Sequence, residues 1–102
     1  MIPMEDVHEQ GLSYVRKKIH ELCVDKSYLT FDIDVIDPAY APGTGYPQIG
    51  GLNSYQALKL IRDLNGVNFV GCDLVEVSPP YDSVNITSLL AANLIYEILC
   101  IL

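Results

Sequence analysis

The chain has 102 residues, half of them hydrophobic, and a formal charge of −7. That is room for one small domain or a portion of a larger one, too apolar to be disordered and too acidic to favour a nucleic-acid partner. All six Lys and Arg residues stand at or before Arg62, and from Asp63 onward there are five acids and no base. Such an acidic surround suits bound cations and a cationic ligand.

The three cysteines, Cys23, Cys72 and Cys100, are odd in number and lack CxxC spacing. They read as reduced, mostly buried thiols of a cytoplasmic protein. Neither a signal peptide nor a transit peptide is expected at the N-terminus. The apolar fraction is high for so short a chain, so a surface left for a partner is expected, either a second copy in a homo-oligomer or the remainder of a domain.

Along the chain, Leu12, Val15, Ile19 and Leu22 repeat at helical spacing with Arg16, Lys17 and Lys18 between them, which predicts an amphipathic helix from about Gly11. His8 and His20, in polar helical surroundings, are expected at the surface. Residues 28–34 are rich in aromatic and β-branched types and predict a strand, closed by Asp37-Pro38. Residues 38–51 carry three prolines and four glycines and predict a long loop, a length that in compact domains is usually functional.

Asn53 with Gln56 three residues later predicts a capped helix, with Leu52 stapling onto Ala57, a buried stripe of Ala57, Leu58, Ile61 and Leu64, and a stop at Asn65-Gly66. Residues 69–77 predict a second strand, apolar on both parities apart from Asp73 and Glu76, as in parallel sheets covered by helices. Residues 86–102 predict a last helix. It falls short of the roughly 20 apolar residues of a membrane span and contains Asn93 and Glu97, so no membrane is expected. The order is α-β-α-β-α: an α/β fold, three layers around a parallel sheet. A right-handed crossover brings both strand ends to one edge, the edge where ligands bind in such sheets.

Asp32 and Asp34, two residues apart, are expected on one face of the first strand, where their mutual repulsion calls for a cation. Oxygen donors favour Mg, Ca or Mn, and two carboxylates can each contact one or two ions that activate water. Glu76, from the second strand, faces the same cleft and can grip a cationic substrate. Asp73 is read equally as a structural acceptor. The run Asp32-x-Asp34-x-x-Asp37 is no EF-hand, since its third acid is one place late and the turn glycine is missing. The aspartate-nucleophile pattern DxDx[TV] of haloacid-dehalogenase-like phosphatases fails at Ile36.

The segment Phe31-Asp32-Ile33-Asp34-Val35-Ile36-Asp37-Pro38-Ala39-Tyr40-Ala41-Pro42-Gly43-Thr44-Gly45, continued by Gly50-Gly51-Leu52, resembles the signature of the ureohydrolase (arginase/agmatinase) family. Val70-Gly71-Cys72-Asp73-Leu74-Val75-Glu76-Val77-Ser78-Pro79-Pro80-Tyr81-Asp82 is similar to the family's last strand and loop. Ile86-Thr87-Ser88-Leu89-Leu90-Ala91-Ala92-Asn93-Leu94 resembles its closing helix. The Ala41-Pro42-Gly43-Thr44-Gly45 and Val77-Ser78-Pro79-Pro80-Tyr81-Asp82 forms resemble agmatinases more than arginases.

That resemblance implies a small guanidino substrate, agmatine hydrolysed to putrescine and urea at two manganese ions. It makes Asp32 the bridging metal ligand, Asp34 a ligand to one ion, and Glu76 the catalytic and substrate-binding carboxylate that pairs with the guanidinium. It places Thr44 in the wall of the substrate pocket. It also implies that residues 1–102 are the C-terminal portion of a ureohydrolase domain. The family's upstream histidine, its Asp-x-His-x-x-Asp-like run and its proton-shuttling histidine have no counterpart here, so the alternative is a non-catalytic piece that acts at most as an associating subunit. Gln48-Ile49 stands where the family usually has Glu-Pro.

Overall fold

A computed structural model describes residues 1–102. Two short helices open the chain, α1 (Met4–Gln10) and α2 (Leu12–Leu22). They are followed by β1 (Ser27–Asp32), a 3-10 turn at Ile33–Val35, α3 (Ser54–Asp63), β2 (Phe69–Val75), a second 3-10 turn at Pro79–Tyr81 and α4 (Ile86–Ile101). The two strands pair in parallel, with Thr30 opposite Asp73, Phe31 opposite Leu74 and Asp32 opposite Val75. Their C-terminal ends therefore share one edge, as a β-α-β crossover requires.

Alternation along the pair separates two faces. Leu29, Phe31, Cys72 and Leu74 pack into a core with Ile33, Ile36, Ala41, Ala57, Ile61, Ala91, Leu94 and Ile98. Tyr28, Thr30, Asp32, Asp73 and Val75, on the other parity, are exposed. The α/β class and the parallel sheet stand as the sequence predicts. The layer opposite the core helices is not supplied by these residues.

The third helix follows its sequence signals closely. Asn53 accepts from the Gln56 N–H at 2.8 Å, the Gln56 side chain accepts from the Asn53 N–H at 2.9 Å, and this capping box satisfies two otherwise orphaned donors. Ala57, Ile61 and Leu64 are buried, Leu58 is half-buried, and Gly66 takes φ +94° just past the helix. Arg62 grips Glu97 of α4 through two oxygens, at 2.8 and 2.5 Å.

Six expectations need correction. An additional helix, α1, precedes the predicted one; Gly11, at φ +81°, separates the two. The first strand stops at Asp32 rather than Asp34, because the Asp32 side chain accepts from the Asp34 N–H at 2.9 Å and turns the chain into a 3-10 helix. The second strand ends at Val75, and Leu22, expected in the buried stripe of α2, is exposed. The cysteines are all free, but Cys23 and Cys72 are only half-buried and Cys100 is exposed. His8 is exposed as expected, whereas His20 is half-buried with Nε2 3.1 Å from the Asp63 carbonyl.

The last helix is apolar all round, so its sequence alone does not mark which side faces inward. Thr87, Ala91, Leu94 and Ile98 form the buried stripe, while Leu89, Ile95, Tyr96 and Leu99 are exposed. No helix is long and apolar enough to cross a membrane. This assignment predicts that Leu94→Ala costs about 2–5 kcal/mol of stability, whereas Leu99→Ala stays within about 1 kcal/mol of the parent. Urea unfolding of the two variants side by side checks it.

Candidate functional site

The carboxylates at the end of β1 are held by short-range donors. Asp32 Oδ1 accepts from the Asp34 backbone N–H, and Asp34 Oδ1 accepts from the Thr44 hydroxyl. The second oxygen, Oδ2, of each carboxylate makes no hydrogen bond within the chain. Asp32 is exposed and Asp34 half-buried. Both line a cleft of about 420 Å³ together with Met4, Val35 and residues 48–51 of the long loop. The structure thus brings Asp32 and Asp34 together, by a turn rather than by a shared strand face.

Thr44 lies inside this arrangement. It is 4% exposed, and its hydroxyl is spent on Asp34. Its backbone forms an isolated antiparallel bridge to Val77, which fastens the loop to the exit of β2.

Glu76 follows β2 directly, at the same sheet edge. By strand alternation it would share the parity of Cys72 and Leu74 and point toward the core. Instead its backbone turns left-handed, at φ 67°, and the side chain is exposed with no hydrogen-bond partner. A non-glycine residue in that region carries about 1–3 kcal/mol of strain, and such strain gathers at functional sites. The lining of the Asp32–Asp34 cleft does not include Glu76. Asp73 accepts from the Tyr28 hydroxyl at 3.1 Å on the exposed sheet face, a position that fits a structural acceptor.

The loop that carries Thr44 is tied down at both ends. Asp37 accepts from the N–H groups of Ala39 and Gly50, each at 2.9 Å, and these backbone donors hold its carboxyl below the usual range. Leu52 donates to Val35, and Asp37 donates back to Leu52, both at 2.9 Å. Gly51 is enclosed here: a Cβ on it would lie 2.6 Å from the Asp37 nitrogen and from the Val35 oxygen.

At the loop's centre Gly43 donates to the Thr87 hydroxyl at 2.8 Å and accepts from the Ser78 N–H at 2.7 Å. Asp82 closes the structure from the other side, accepting from the N–H groups of Ser83, Thr87 and Ser88 at 2.9 to 3.0 Å. Partial burial works against its charge. The donors from Thr87, Ser88 and Ser83 outweigh it and bring the Asp82 carboxyl down to about 2. The sequence motifs give this residue no role of its own. The signal was there in its place just ahead of Thr87 and Ser88, where first-turn N–H groups are unpaired.

As donors, Asp32 and Asp34 fit a hard divalent ion in type. They fall short in number, since no group of three or more His, Cys, Asp or Glu is arranged to hold a metal. What the arrangement offers is two oriented carboxylates, each with one free oxygen, beside a cleft, and a third carboxylate from the neighbouring strand.

A family profile described as the arginase family matches residues 1–100. The chain belongs to the arginase family. The guanidinobutyrase of Pseudomonas aeruginosa is 65% identical over 75 residues, covering 74% of this arginase-family chain and 24% of the relative. A mitochondrial agmatinase of Gallus gallus is 48% identical over 103 residues, covering 100% of this chain and 30% of its own length. Among solved structures, a hypothetical agmatinase from Burkholderia thailandensis superimposes with a TM-score of 0.93 at 46% identity, over 98% of this chain and 32% of that one. The α/β fold is therefore the arginase fold, and the family is one of ureohydrolase-type enzymes. This chain spans about a quarter to a third of the length of these relatives.

The Asp82 hydrogen bonds give an acid dependence with a defined sign. An ordinary unfolded Asp titrates near 3.9 and the folded one near about 2, so its contribution is complete above the unfolded value and is lost as pH falls from about 4 through about 2. Asp82→Ala is expected to lower Tm by several degrees at pH 7 and to flatten the fall in Tm across that acid window. Thermal melts of parent and variant at a series of pH values measure both.

Proposed function

We propose that this chain forms part of a manganese-dependent hydrolase of guanidino compounds, with agmatine, cleaved to putrescine and urea, as the reaction its motifs favour. The observation that carries the reading is the pair of oriented carboxylates at the edge where the arginase-family sheet ends. Asp32 and Asp34 would hold divalent ions, each through the oxygen left free by its internal hydrogen bond. Bound there, such ions would lower the pKa of water and make hydroxide available at neutral pH.

The chain's own residues would do the rest. Thr44 fixes the rotation of the Asp34 carboxylate. Glu76 presents an exposed carboxylate that can take a guanidinium through two parallel N–H···O bonds. The acidic C-terminal half favours approach of a cation. We place these residues in the C-terminal portion of a larger ureohydrolase domain. The three free cysteines support a reducing, cytoplasmic setting, and the exposed apolar residues of α4 support assembly with a second copy or with the rest of the domain.

Two observations favour alternatives within this reading. The identity to a protein named for guanidinobutyrate exceeds that to an agmatinase, 65% against 48%, over a shorter matched stretch. This makes the guanidino acid the first competing substrate. The absence of a third metal donor beside Asp32 and Asp34 favours a chain that is non-catalytic by itself and active only with donors supplied from elsewhere.

Manganese binding by equilibrium dialysis, with urea release from agmatine and from 4-guanidinobutyrate, separates these possibilities. Stoichiometric manganese with urea formation, both abolished in Asp32→Asn, supports an enzyme. Weak manganese binding that Asp32→Asn abolishes, without urea, supports the non-catalytic piece. Manganese binding unchanged in Asp32→Asn removes the metal assignment altogether.

For Glu76, replacement by glycine is expected to leave stability within about 1 kcal/mol, because relief of left-handed strain offsets the added backbone freedom. The same change is expected to abolish binding of the guanidinium ion. Paired unfolding and titration measurements test both halves.

A further inference from the structure

We propose that His8 is a positioning residue: through its hydrogen bond to the Gly50 carbonyl, α1 fixes the loop wall of the cleft that holds Asp32 and Asp34. The inference rests on reading that cleft as the metal site.

The His8 Nε2 lies 2.7 Å from the Gly50 oxygen, across 42 residues of sequence. A carbonyl oxygen only accepts, so Nε2 is the protonated ring nitrogen in this contact. Met4 stands four residues earlier and so shares a face of α1 with His8. Met4 itself lines the cleft with Asp32, Asp34 and residues 48–51. The same helix face thus both borders the carboxylate cleft and holds the loop that forms its other side.

The Gly50 peptide is held from two directions. Its N–H donates to Asp37 Oδ2 at 2.9 Å while its carbonyl accepts from His8. Its φ of +86° makes this corner accessible to glycine at little cost and to other residues only with strain. Just beyond it, Gly51 is wedged against the backbone of Val35 and Asp37, one and three residues past Asp34. Displacement of Gly50 is therefore transmitted to the turn that carries the ligand. Removing the imidazole leaves Asp37 as the only side chain holding this corner.

The test uses the intact chain with His8→Ala and His8→Gln, the second retaining an N–H able to reach the carbonyl. The Gly50 amide is followed by hydrogen exchange, and the Asp32 and Asp34 signals are followed during a manganese titration. The net value of one hydrogen bond corresponds to about fivefold in an opening equilibrium. His8→Ala is expected to speed Gly50 exchange about fivefold and to weaken the manganese response by a similar factor, with His8→Gln restoring most of both. Protected Leu94 and Ile98 amides confirm that each variant is folded.

Unchanged Gly50 exchange in His8→Ala, or failure of His8→Gln to restore it, overturns the hydrogen-bonded clasp. Faster exchange with an unchanged manganese response overturns the positioning role and leaves His8 a docking contact of α1. If manganese affects neither aspartate in the parent chain, the metal reading of the cleft fails instead, and Gly50 exchange still decides whether the clasp exists.

Discussion

The Asp82 carboxylate is the joint on which the arrangement turns. It collects the unpaired N–H groups at the start of α4 while its side chain closes over Gly43, where a Cβ would come within 2.7 Å of it. Gly43 in turn donates to Thr87 on that same helix and accepts from Ser78 at the exit of β2. One carboxylate therefore sets the height of the last helix, the path of the long loop and the departure of the second strand together. The next residue along the loop is Thr44, and Thr44 orients Asp34. The Asp34 carboxylate is thus linked to a helix start far from it in sequence by a continuous run of short polar contacts, each of which satisfies a buried or half-buried group.

Much of this was legible in the sequence because the signals were local. The Asn53–Gln56 pair announced a capping box, Asn65-Gly66 announced a helix end, and glycine and proline density announced the loop. Parallel pairing followed from two strands joined by a helix, and the place of Asp32, Asp34 and Glu76 along one sheet edge followed from that topology. The arginase-family resemblance lay in the same stretches.

What escaped had physical causes of its own. A strand reading that runs through Asp34 takes no account of a side chain that accepts from the backbone two residues on, and this contact converts the strand end into a turn. The apolar circumference of α4 hides its inward face, since no polar stripe marks the other side. The first helix is seven residues long and shows too little periodicity to stand out. The burial of Thr44 and its contact with Asp34 were likewise out of reach of the sequence, because ten residues of loop separate the two. Such tertiary contacts decide between roles that share one motif.

The left-handed turn at Glu76 carries one more implication. A side chain aimed by rotamer packing is re-aimed whenever its neighbours change. Here the main chain sets the direction of the Cβ, and no hydrogen bond within the chain holds the side chain beyond it. Position 76 is therefore a fixed address with an exchangeable occupant. Shortening the residue to Asp or neutralising it to Gln alters reach or charge without moving its Cβ, and β-branched residues are disfavoured by the backbone itself. Side-chain chemistry at this edge can then vary one residue at a time while the sheet beneath it stays as it is.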